Sequence, residues 1–356
     1  MKVHRMPGGT RKLRGALELL ENCYGDNGVW ASPGEDSRYG DTCWTRDFFH
    51  LLRLLLRLGE TDIARKHLVN TGRRQRPNGQ IPIVFLDNEE RWLAKKLRQE
   101  QLTGRPSFML TRYRQGELEN LTEGTTDSEI CWLLSLHQYA YLTGDRAILD
   151  EQRRQIAKAL DYLEGVLIRN GLHHGCDWRD TMHLELADKP LLGNNALLYR
   201  MYVLLARTAA SEREARRFAR RARELRARIH EAFFVGGAVL DYPGSHRFDP
   251  FGGALYLLLV APGCTDARAK TRVQDLVEGF RSVDSPYGVT IRCRHAPAAG
   301  GPPDEAEVIE RTNGVVVWPF VVGRTSQALA RAGYPEEASR QFLKLQSHEK
   351  SSEWLD

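Results

Sequence analysis

Four short segments of the 356-residue chain combine a carboxylate with tryptophan, asparagine, arginine or threonine. They are WTRD at 44–47, TTDSE at 125–129, GCDWRD at 175–180 and ERTNG at 310–314. Aromatic faces pack against the apolar faces of sugar rings, while carboxylates and amides form hydrogen bonds with hydroxyl groups. Hydrolysis of an acetal also requires one protonated and one ionised carboxyl group. The four segments together therefore indicate a carbohydrate site.

Each of these segments lies ahead of a mostly apolar stretch with helical spacing. The apolar stretches begin near residues 48, 131, 195 and 315. A carboxylate in front of a helix is commonly an N-cap, so one such segment carries little weight. Four of them in one chain favour a shared site, because the loops at one end of a set of packed inner helices converge.

Three segments show the same plan of helix, short turn and helix, at 50–68, 133–151 and 324–345. The turn of each contains a glycine that can take the left-handed conformation ending a helix: Gly59, Gly144 and Gly333. Further helical patterns are present at 10–22, 151–168, 194–209, 211–233, 250–260 and 269–281. Apolar and amphipathic helices alternate along the chain, which predicts two concentric layers with the apolar helices inside.

The composition suits a large folded protein, with 42% hydrophobic and 27% charged residues. The net charge of +5 comes mostly from arginines, and the densest basic stretch is EREARRFARRARELRARIH at 212–230. Glutamates are interspersed there at helical spacing around an apolar stripe, which is typical of a solvated outer helix face. We therefore expect no nucleic-acid partner. No linker divides the sequence, so we expect a single domain over residues 1–356.

The remaining sequence features argue against a membrane protein and against a metal enzyme. The most apolar run, 48–58, is interrupted by a histidine and two arginines, so it is too polar to span a membrane. Six scattered cysteines without metal-type spacing, and no signal-peptide pattern, predict a cytoplasmic protein. His173 and His174 are adjacent and would point in different directions, so we expect no metal and no cofactor.

Several motifs of the chain resemble those of inverting (α/α)6 glycosidases. They are WTRDFFHLL, TDSEICWLL, DWRDTM followed by PLLGNNALLY, NGVVVWPF and the terminal SEWLD. The resemblance is strongest to the amylo-α-1,6-glucosidase region of glycogen-debranching enzymes and to the alkaline/neutral invertases, and weaker to trehalase-like glucosidases. It implies an all-α fold, an (α/α)6 toroid of two helix layers. Relatives continue into a final inner helix, and we expect this chain to lack it.

The resemblance also implies a general acid ahead of the helix that begins with NNALLY at 194–199. Asp180 matches that residue. Asp177 is the alternative, because the register before this helix can slip; its other role would be to orient Arg179 or to accept a hydrogen bond from a sugar hydroxyl. A general acid must stay protonated near neutral pH, and a neighbouring carboxylate and the Trp178 indole are expected to favour this.

The implied general base is a glutamate near the C-terminus, which corresponds to Glu353 in SEWLD. Two alternatives stay open at this position. Glu353 could be an exposed charge on a frayed tail, or another acid such as Glu310 could fill the role. With an acid and a base on opposite faces of the sugar, hydrolysis would proceed by a single displacement.

The same resemblance assigns further residues to substrate binding. Asp47 matches the residue that binds sugar hydroxyls in the subsite for the non-reducing residue, and Trp44 and Arg46 shape that subsite. The other candidates come from the remaining motif loops and from a rigid loop, NGQIP at 78–82: Asp127, Trp178, Arg179, Asn313, Asn78 and Gln80. Trp318 and Pro319 are expected to pack in the core.

The predicted function is that of an inverting, exo-acting glycosidase on a glucosidic bond of a small saccharide or oligosaccharide, either debranching-like or invertase-like. Two alternatives stay open. One is a weak or inactive carbohydrate-binding toroid, and the other is a sugar epimerase, which would depend on paired histidines. Arginines in 90–124 and 283–309 allow an anionic aglycone; they are Arg105, Arg112, Arg114, Arg292 and Arg294.

Overall fold

The structure, a computed structural model, describes residues 11–34, 39–118, 126–177, 179, 186–292 and 315–347. Within these ranges it contains fourteen α-helices. Strands are restricted there to five antiparallel pairs, each strand being two or three residues long. The predicted all-α class is confirmed.

The helices follow the chain in this order: α1 (Arg11–Glu21), α2 (Thr45–Leu58), α3 (Thr61–Arg73), α4 (Glu89–Thr103), α5 (Phe108–Arg114), α6 (Ser128–Thr143), α7 (Ala147–Glu151), α8 (Arg153–Tyr162), α9 (Leu192–Thr208), α10 (Glu212–Phe233), α11 (Pro250–Leu259), α12 (Ala269–Ser282), α13 (Pro319–Arg331) and α14 (Pro335–Ser347). A π-helical turn, Leu163–Leu167, follows α8. No helix in the described part of the chain is long and apolar enough to cross a membrane.

The strand pairs are short ribbons between helices. They are β1 (Thr42–Trp44) with β2 (Val84–Leu86), β3 (Ile168–Arg169) with β4 (Leu172–His173), β5 (Phe234–Val235) with β6 (Ala238–Val239), β7 (Asp284–Ser285) with β8 (Gly288–Val289), and β9 (Ile291–Arg292) with β10 (Val315–Val316). In the first ribbon Trp44 lies opposite Val84 and Cys43 opposite Phe85. This register fixes the residue that directly precedes α2.

The three predicted helix–turn–helix segments are confirmed as α2–α3, α6–α7 and α13–α14. Each first helix ends beside a glycine with a left-handed backbone: φ is 81° at Gly59, 78° at Gly144 and 90° at Gly333. The backbone N–H of Gly59 donates to the carbonyls of Leu55 and Leu56, which would otherwise lack partners at the helix end. Local turn chemistry therefore sets these hairpins.

Contacts divide the chain into two compact units. The first comprises residues 1–121 and 131–164, and the second 122–130 and 165–356. The prediction of one domain over 1–356 is not tested by this division and stays a prediction. In the first unit α2 packs on α3, and the indole N–H of Trp132 donates to the carbonyl of Leu68 over 3.0 Å. This bond links α6 to α3.

The second unit shows the expected difference between apolar and amphipathic helices. α9 packs on α11, and α11 packs on α13. α10 packs on α9, and α14 packs on α13. α9 is buried on almost every side. α10 buries a single face, made by Phe218, Ala222, Leu225, Ile229 and Phe233. Their spacing of three or four residues is that of one stripe along a helix, so the arginine-rich remainder of α10 faces solvent.

Two helices, α4 and α5, were not predicted. They lie in the stretch 90–124, which has no strong apolar period. Local signals were present all the same, because Asn88 accepts a hydrogen bond from the N–H of Arg91 as N-cap and Gly104 ends α4 with φ at 69°. The main buried residue of α4 is Trp92, which packs with Leu110 of α5 in one hydrophobic cluster.

Candidate active site

The GCDWRD segment and the residues just before it are held by two asparagines in the opening turn of α9. The side-chain carbonyl of Asn195 accepts from the N–H of His173 over 2.8 Å, and its amide donates to the carbonyl of His173 over 3.1 Å. The amide of Asn194 donates to the carbonyl of Gly175 over 3.2 Å. Both asparagines are buried. The NNALLY motif therefore fixes the backbone that leads into residues 175–179.

A second anchor for this segment comes from Thr126, just ahead of α6. Its N–H donates to the carbonyl of Cys176 over 3.1 Å, and its hydroxyl donates to the carbonyl of His174 over 3.2 Å. The Nε2 atom of His173 lies 2.9 Å from the carbonyl of Thr126. Two of the four predicted segments, TTDSE and GCDWRD, are therefore in direct contact. Asp127, the next residue, is buried in the same unit.

Two features keep this contact tight and uncharged. Gly175 has a φ of 126°, and a Cβ on it would lie 2.0 Å from the hydroxyl oxygen of Thr126, so no larger residue fits there. Burial lowers the pKa of His173 to about 4, so its ring is neutral near neutral pH. His173 and His174 are each engaged with a backbone carbonyl. Among the described residues no group of three or more metal-ligating side chains comes together.

Arg179 lies at the centre of a buried cluster of carboxylates. Its Nε donates to Asp177 Oδ1 over 2.9 Å and its Nη2 to Asp177 Oδ2 over 2.8 Å. Its Nη1 and Nη2 donate to the two oxygens of Asp241 over 2.6 and 3.0 Å. The backbone N–H of Arg179 also donates to Asp177 Oδ1, over 3.0 Å. The Asp177 side chain thus binds both the side chain and the backbone of Arg179.

A third carboxyl group, that of Asp249, completes the cluster 4.0 Å from Nη1 of Arg179. Asp249 is the N-cap of α11 and accepts from the N–H of Gly252 over 2.7 Å. Burial raises its pKa to about 7, with further contributions from Asp241 and Asp177; Arg179 and the Gly252 N–H act against the rise. The cluster therefore contains a carboxyl group that gains or loses a proton near neutral pH.

The guanidinium of Arg179 is held firmly in its charged form. Burial alone would lower its pKa, but the carboxylates of Asp177, Asp241 and Asp249 outweigh burial and raise the pKa well above the ordinary value. Both oxygens of Asp177 accept hydrogen bonds from Arg179. Its geometry suits the orienting of Arg179 better than the donation of a proton.

Several predicted site residues lie outside the described residues. They are Asp180, Glu353, Trp178, Asn313 and the alternative base Glu310. Their assignments stay predictions, as do the substrate-binding roles of Arg179 and Asp127. In the structure the side-chain donors of Arg179 face carboxylates, and Asp127 lies next to Thr126, which contacts the GCDWRD segment.

The predicted sugar-hydroxyl subsite lies in the first unit. Trp44 occupies the N-cap position of α2, and its indole N–H donates to the hydroxyl of Thr42 over 3.0 Å. Arg46 and Asp47 belong to the first turn of that helix, and Asp47 is exposed. Asp47 is therefore not the N-cap, which was the alternative explanation for a carboxylate at this position. Its role in binding sugar stays a prediction.

The NGQIP loop of the first unit is closed by its own polar side chains. The backbone N–H of Gln80 donates to the side-chain oxygen of Asn78 over 3.0 Å. Nη1 of Arg76 donates to the side-chain oxygen of Gln80 over 3.4 Å. These bonds shape the loop, and the ligand contacts expected of Asn78 and Gln80 stay predictions.

Sequence reasoning missed Asp241 and Asp249, which complete the Arg179 cluster. One signal was available: Asp249 directly precedes Pro250, and Asp followed by Pro marks a helix N-terminus. Nothing in the sequence connects that N-cap with Arg179, because the two are far apart along the chain. Asp241 has no motif of its own.

The expectation that Trp318 packs in the core is wrong. Trp318 is 42% exposed, and it precedes α13 as its N-cap residue. Its ring makes an edge contact with Phe320, at 5.9 Å between centroids, and Phe320 makes another with Phe251, at 5.3 Å. Phe251 lies in the first turn of α11, two residues after Asp249. An aromatic row therefore leads from the Asp249 cap to an exposed indole.

Comparison with solved structures finds the same fold in several glycosidases. A glycosidase in complex with glucose shares 18% sequence identity and a TM-score of 0.60, with 93% of this chain and 81% of that chain covered. A GH63 mannosylglycerate hydrolase from Thermus thermophilus shares 13% identity and a TM-score of 0.59, with 94% and 91% covered. A rhamnosidase from Klebsiella oxytoca with rhamnose bound shares 13% and 0.51, with 85% and 48% covered.

These similarities define the fold as that of the (α/α)6 glycosidases, as the sequence predicted. A scan of the sequence against models of protein families gives no match. A comparison with curated proteins gives none either. The resemblance to debranching enzymes and invertases therefore stays a prediction.

Proposed function

We propose that this protein is a glycoside hydrolase that acts by inversion on a glucosidic bond of a small saccharide or oligosaccharide. The observation that carries the proposal is the packing of the GCDWRD segment. Asn194, in the first turn of an inner helix, and Thr126 hold its backbone, and Asn195 holds that of His173 just before it, in a fold shared with a glycosidase that binds glucose. Catalysis of acetal hydrolysis needs carboxyl groups held at fixed positions, and in this proposal the GCDWRD segment provides the general acid.

In the proposed mechanism Asp180 protonates the glycosidic oxygen as the bond to the sugar breaks. Glu353, or Glu310 in its place, activates a water molecule on the opposite face of the ring. In inverting glycosidases the two carboxyl groups are about 6.5–9.5 Å apart, which leaves room for that water. The reaction requires no cofactor and no metal.

The Arg179 cluster has a positioning role in this mechanism. Asp177 and Asp241 each bind the Arg179 guanidinium through two oxygens, and the Arg179 backbone bonds to Asp177. Asp180 directly follows Arg179 in the sequence. We propose that fixing Arg179 helps to position Asp180, because small displacements of a catalytic group cost much of the rate.

The sugar and its aglycone are proposed to contact residues from several loops. Asp47, with Trp44 and Arg46, would bind the non-reducing sugar, and Asp127 would bind a hydroxyl. The exposed indole of Trp318 offers a flat apolar surface for a sugar ring.

An anionic aglycone is a further part of this proposal. One neighbour in fold is a mannosylglycerate hydrolase by name, and glycerate is an anion. Three of the five arginines named above lie in the described part of 90–124. Arg112 is paired with Glu117, and Arg114 with Glu100. We therefore assign the binding of the anionic group in this stretch to Arg105.

The test is sugar release from a panel of glucosides with neutral and acidic aglycones. The panel should include sucrose, trehalose, isomaltose and a glucosyl glycerate, with proton NMR to identify the anomer first released. We expect release from at least one α-glucoside with initial formation of β-glucose. Asp180→Asn should lower kcat by about 100-fold or more, while Asp188→Asn, an exposed carboxylate of the same loop, should leave it unchanged.

Three results would contradict the proposal. They are full activity in Asp180→Asn, initial release of the retained anomer, and no turnover of any member of the panel. Binding of glucose without turnover would instead identify a carbohydrate-binding toroid. Interconversion of free sugars without bond cleavage would identify an epimerase.

A further inference from the structure

A cavity lies between α9 and α10 in the second unit, with a volume of about 290 Å³. Its polar lining comes from Tyr199 and Arg207 of α9 and from Arg223 and Arg226 of α10. None of the described residues that line it is acidic. From this arrangement we propose that the cavity is a binding site for a phosphate group, carried either by inorganic phosphate or by a small phosphomonoester.

Small side chains on the two packed helices leave the space for this cavity. Ala206 and Val203 of α9 line it, and so do Ala219 and Ala222 of α10. On each helix the lining residues are three or four positions apart or adjacent, which is the spacing of one helix face. Alanine has no atoms beyond Cβ, so the packed helices do not fill the space between them. The site is therefore built on two long helices, which hold side chains more precisely than loops do.

Tyr199, the last residue of the NNALLY motif, has a hydroxyl that lacks a partner. The residue is only 8% exposed, and no hydrogen bond within the described part of the chain involves its hydroxyl. Buried tyrosine hydroxyls usually have a hydrogen-bond partner. A Cβ on Gly263 would lie 2.8 Å from this hydroxyl and 3.4 Å from Nη1 of Arg226. The hydroxyl and the guanidinium are therefore close to the same point, and a bound anion would give the hydroxyl an acceptor.

The two cavity arginines of α10 differ from their neighbours on the exposed face of the helix. Arg216 and Arg220 are each paired with a glutamate one turn away on α10. No ion pair within the described residues involves Arg223. Nη1 of Arg226 donates to the carbonyl of Gly263, which fixes the guanidinium and leaves its other N–H groups for a ligand. The cavity therefore has positive charge that the protein itself does not neutralise.

A phosphate group matches this set of donors. Guanidinium groups are permanently charged and bind phosphate oxygens through pairs of N–H groups. A phosphomonoester carries nearly two negative charges near neutral pH, so it can be neutralised by two or three arginines. Sites for small molecules have volumes of roughly 300–1,000 Å³, and this cavity is at the lower limit of that range. Its size therefore suits a small phosphorylated compound and not a polymer.

The phosphate site is distinct from the proposed sugar site. The cavity extends along α9 from Tyr199 towards the end of the helix, and Arg207 lies about 18 Å along the helix axis from Asn195. The polar residues that line it are not members of the Arg179 cluster. The proposal therefore does not depend on the proposed hydrolase function, and its test requires no turnover of a glycoside.

The experiment titrates the folded full chain into inorganic phosphate and into glycerol 3-phosphate, at constant ionic strength, and follows binding by phosphorus NMR. We expect Arg223→Gln to weaken binding about tenfold or more, because a charge-assisted hydrogen bond is lost. Arg216→Gln makes the same change of charge on the same helix outside the cavity, so the affinity should stay unchanged. Tyr199→Phe keeps the buried ring and removes the hydroxyl, which should weaken binding about threefold or more.

The two compounds distinguish the two sources of the phosphate group. Tighter binding of glycerol 3-phosphate would identify a site for phosphomonoesters, and equal or tighter binding of inorganic phosphate a site for the free ion. An unchanged phosphorus spectrum for both compounds would overturn the proposal. Wild-type affinity in folded Arg223→Gln or Tyr199→Phe variants would also overturn it. Equal losses in Arg216→Gln and Arg223→Gln would do the same, because they would assign binding to the overall charge of α10.

Discussion

At the scale of single residues, the Asp249 carboxyl group makes the stability of the protein depend on pH. In the unfolded chain an aspartate titrates near pH 4, whereas burial raises the pKa of Asp249 to about 7 in the folded protein. Between these values the folded protein keeps a proton that the unfolded chain releases. The stabilising contribution of Asp249 is therefore complete below about pH 4 and is lost as the pH rises through about 7.

Asp249→Asn tests this titration directly. Asparagine remains a good N-cap, and its side-chain oxygen can keep the stronger of the two first-turn bonds, that from the Gly252 N–H. We expect the free energy of unfolding of the wild type, relative to the variant, to fall by roughly 4 kcal/mol from about pH 4 to about pH 8, because each pKa unit corresponds to about 1.4 kcal/mol. Urea unfolding at several pH values measures this. A constant difference across the range would show that Asp249 keeps its ordinary pKa.

The guanidinium of Arg179 neutralises the charge of buried carboxyl groups. Arg179→Met leaves the carboxyl groups of Asp177, Asp241 and Asp249 buried together. Breaking one side of a buried ion pair costs about 3–5 kcal/mol, so we expect a loss of this size in urea unfolding. Arg169→Met is the matched control, because Arg169 and its partner Asp188 are exposed and such pairs contribute about 0–1 kcal/mol. Equal losses in the two variants would contradict the role of the cluster.

At the scale of elements, the contact between the segments ahead of α6 and α9 depends on Gly175. We expect Gly175→Ala to destabilise the protein by about 1–3 kcal/mol, because its Cβ would lie 2.0 Å from the Thr126 hydroxyl oxygen. Gly236→Ala has a left-handed φ of 62° but open space around it, so it measures the backbone cost alone. Thermal unfolding of both variants separates the two costs, and a milder effect at Gly175 would rule out a tight contact.

The elements also show which parts of the structure the sequence can predict. The hairpins at Gly59, Gly144 and Gly333 were predictable, because the residues that end and begin helices are neighbours in the chain. The contact of the TTDSE and GCDWRD segments followed from their positions ahead of inner helices. Asp241 and Asp249 could not be connected with Arg179, since that contact depends on how α9 and α11 pack and not on local pattern. No periodic pattern in the sequence indicates that Asp241 and Asp249 contact Arg179.

At the scale of the whole molecule, the fold is shared with glycosidases at 13–18% identity. Such similarity depends on the alternation of fully buried helices with amphipathic helices that bury one face. Many different sequences can form this pattern. The residues that choose a substrate are in loops, and loops vary most between proteins of one fold. The class of fold was therefore readable from the sequence, whereas the sugar and its aglycone are matters for experiment.

Ligand binding supplies a test on the intact protein that is independent of turnover. A ligand at 100 times its Kd stabilises a folded protein by about 2.7 kcal/mol. We expect a released sugar such as glucose to raise the Tm of both the wild type and Asp180→Asn, because the proposed acid acts on the bond and not on the bound sugar alone. Thermal unfolding with and without glucose measures this. A shift in neither protein would argue against a glucose subsite.

The Arg179 cluster has one more consequence, for the order of events during synthesis. Asp241 follows Arg179 by 62 residues, so on the ribosome the cationic turn emerges well before its second carboxylate. Until α10 has formed and brought Asp241 back, the guanidinium has Asp177 as its local partner and remains hydrated. Closing so long a loop is slow compared with forming a helix. Arg179 and its carboxylate partners are therefore expected to become ordered late, after the helices that surround them.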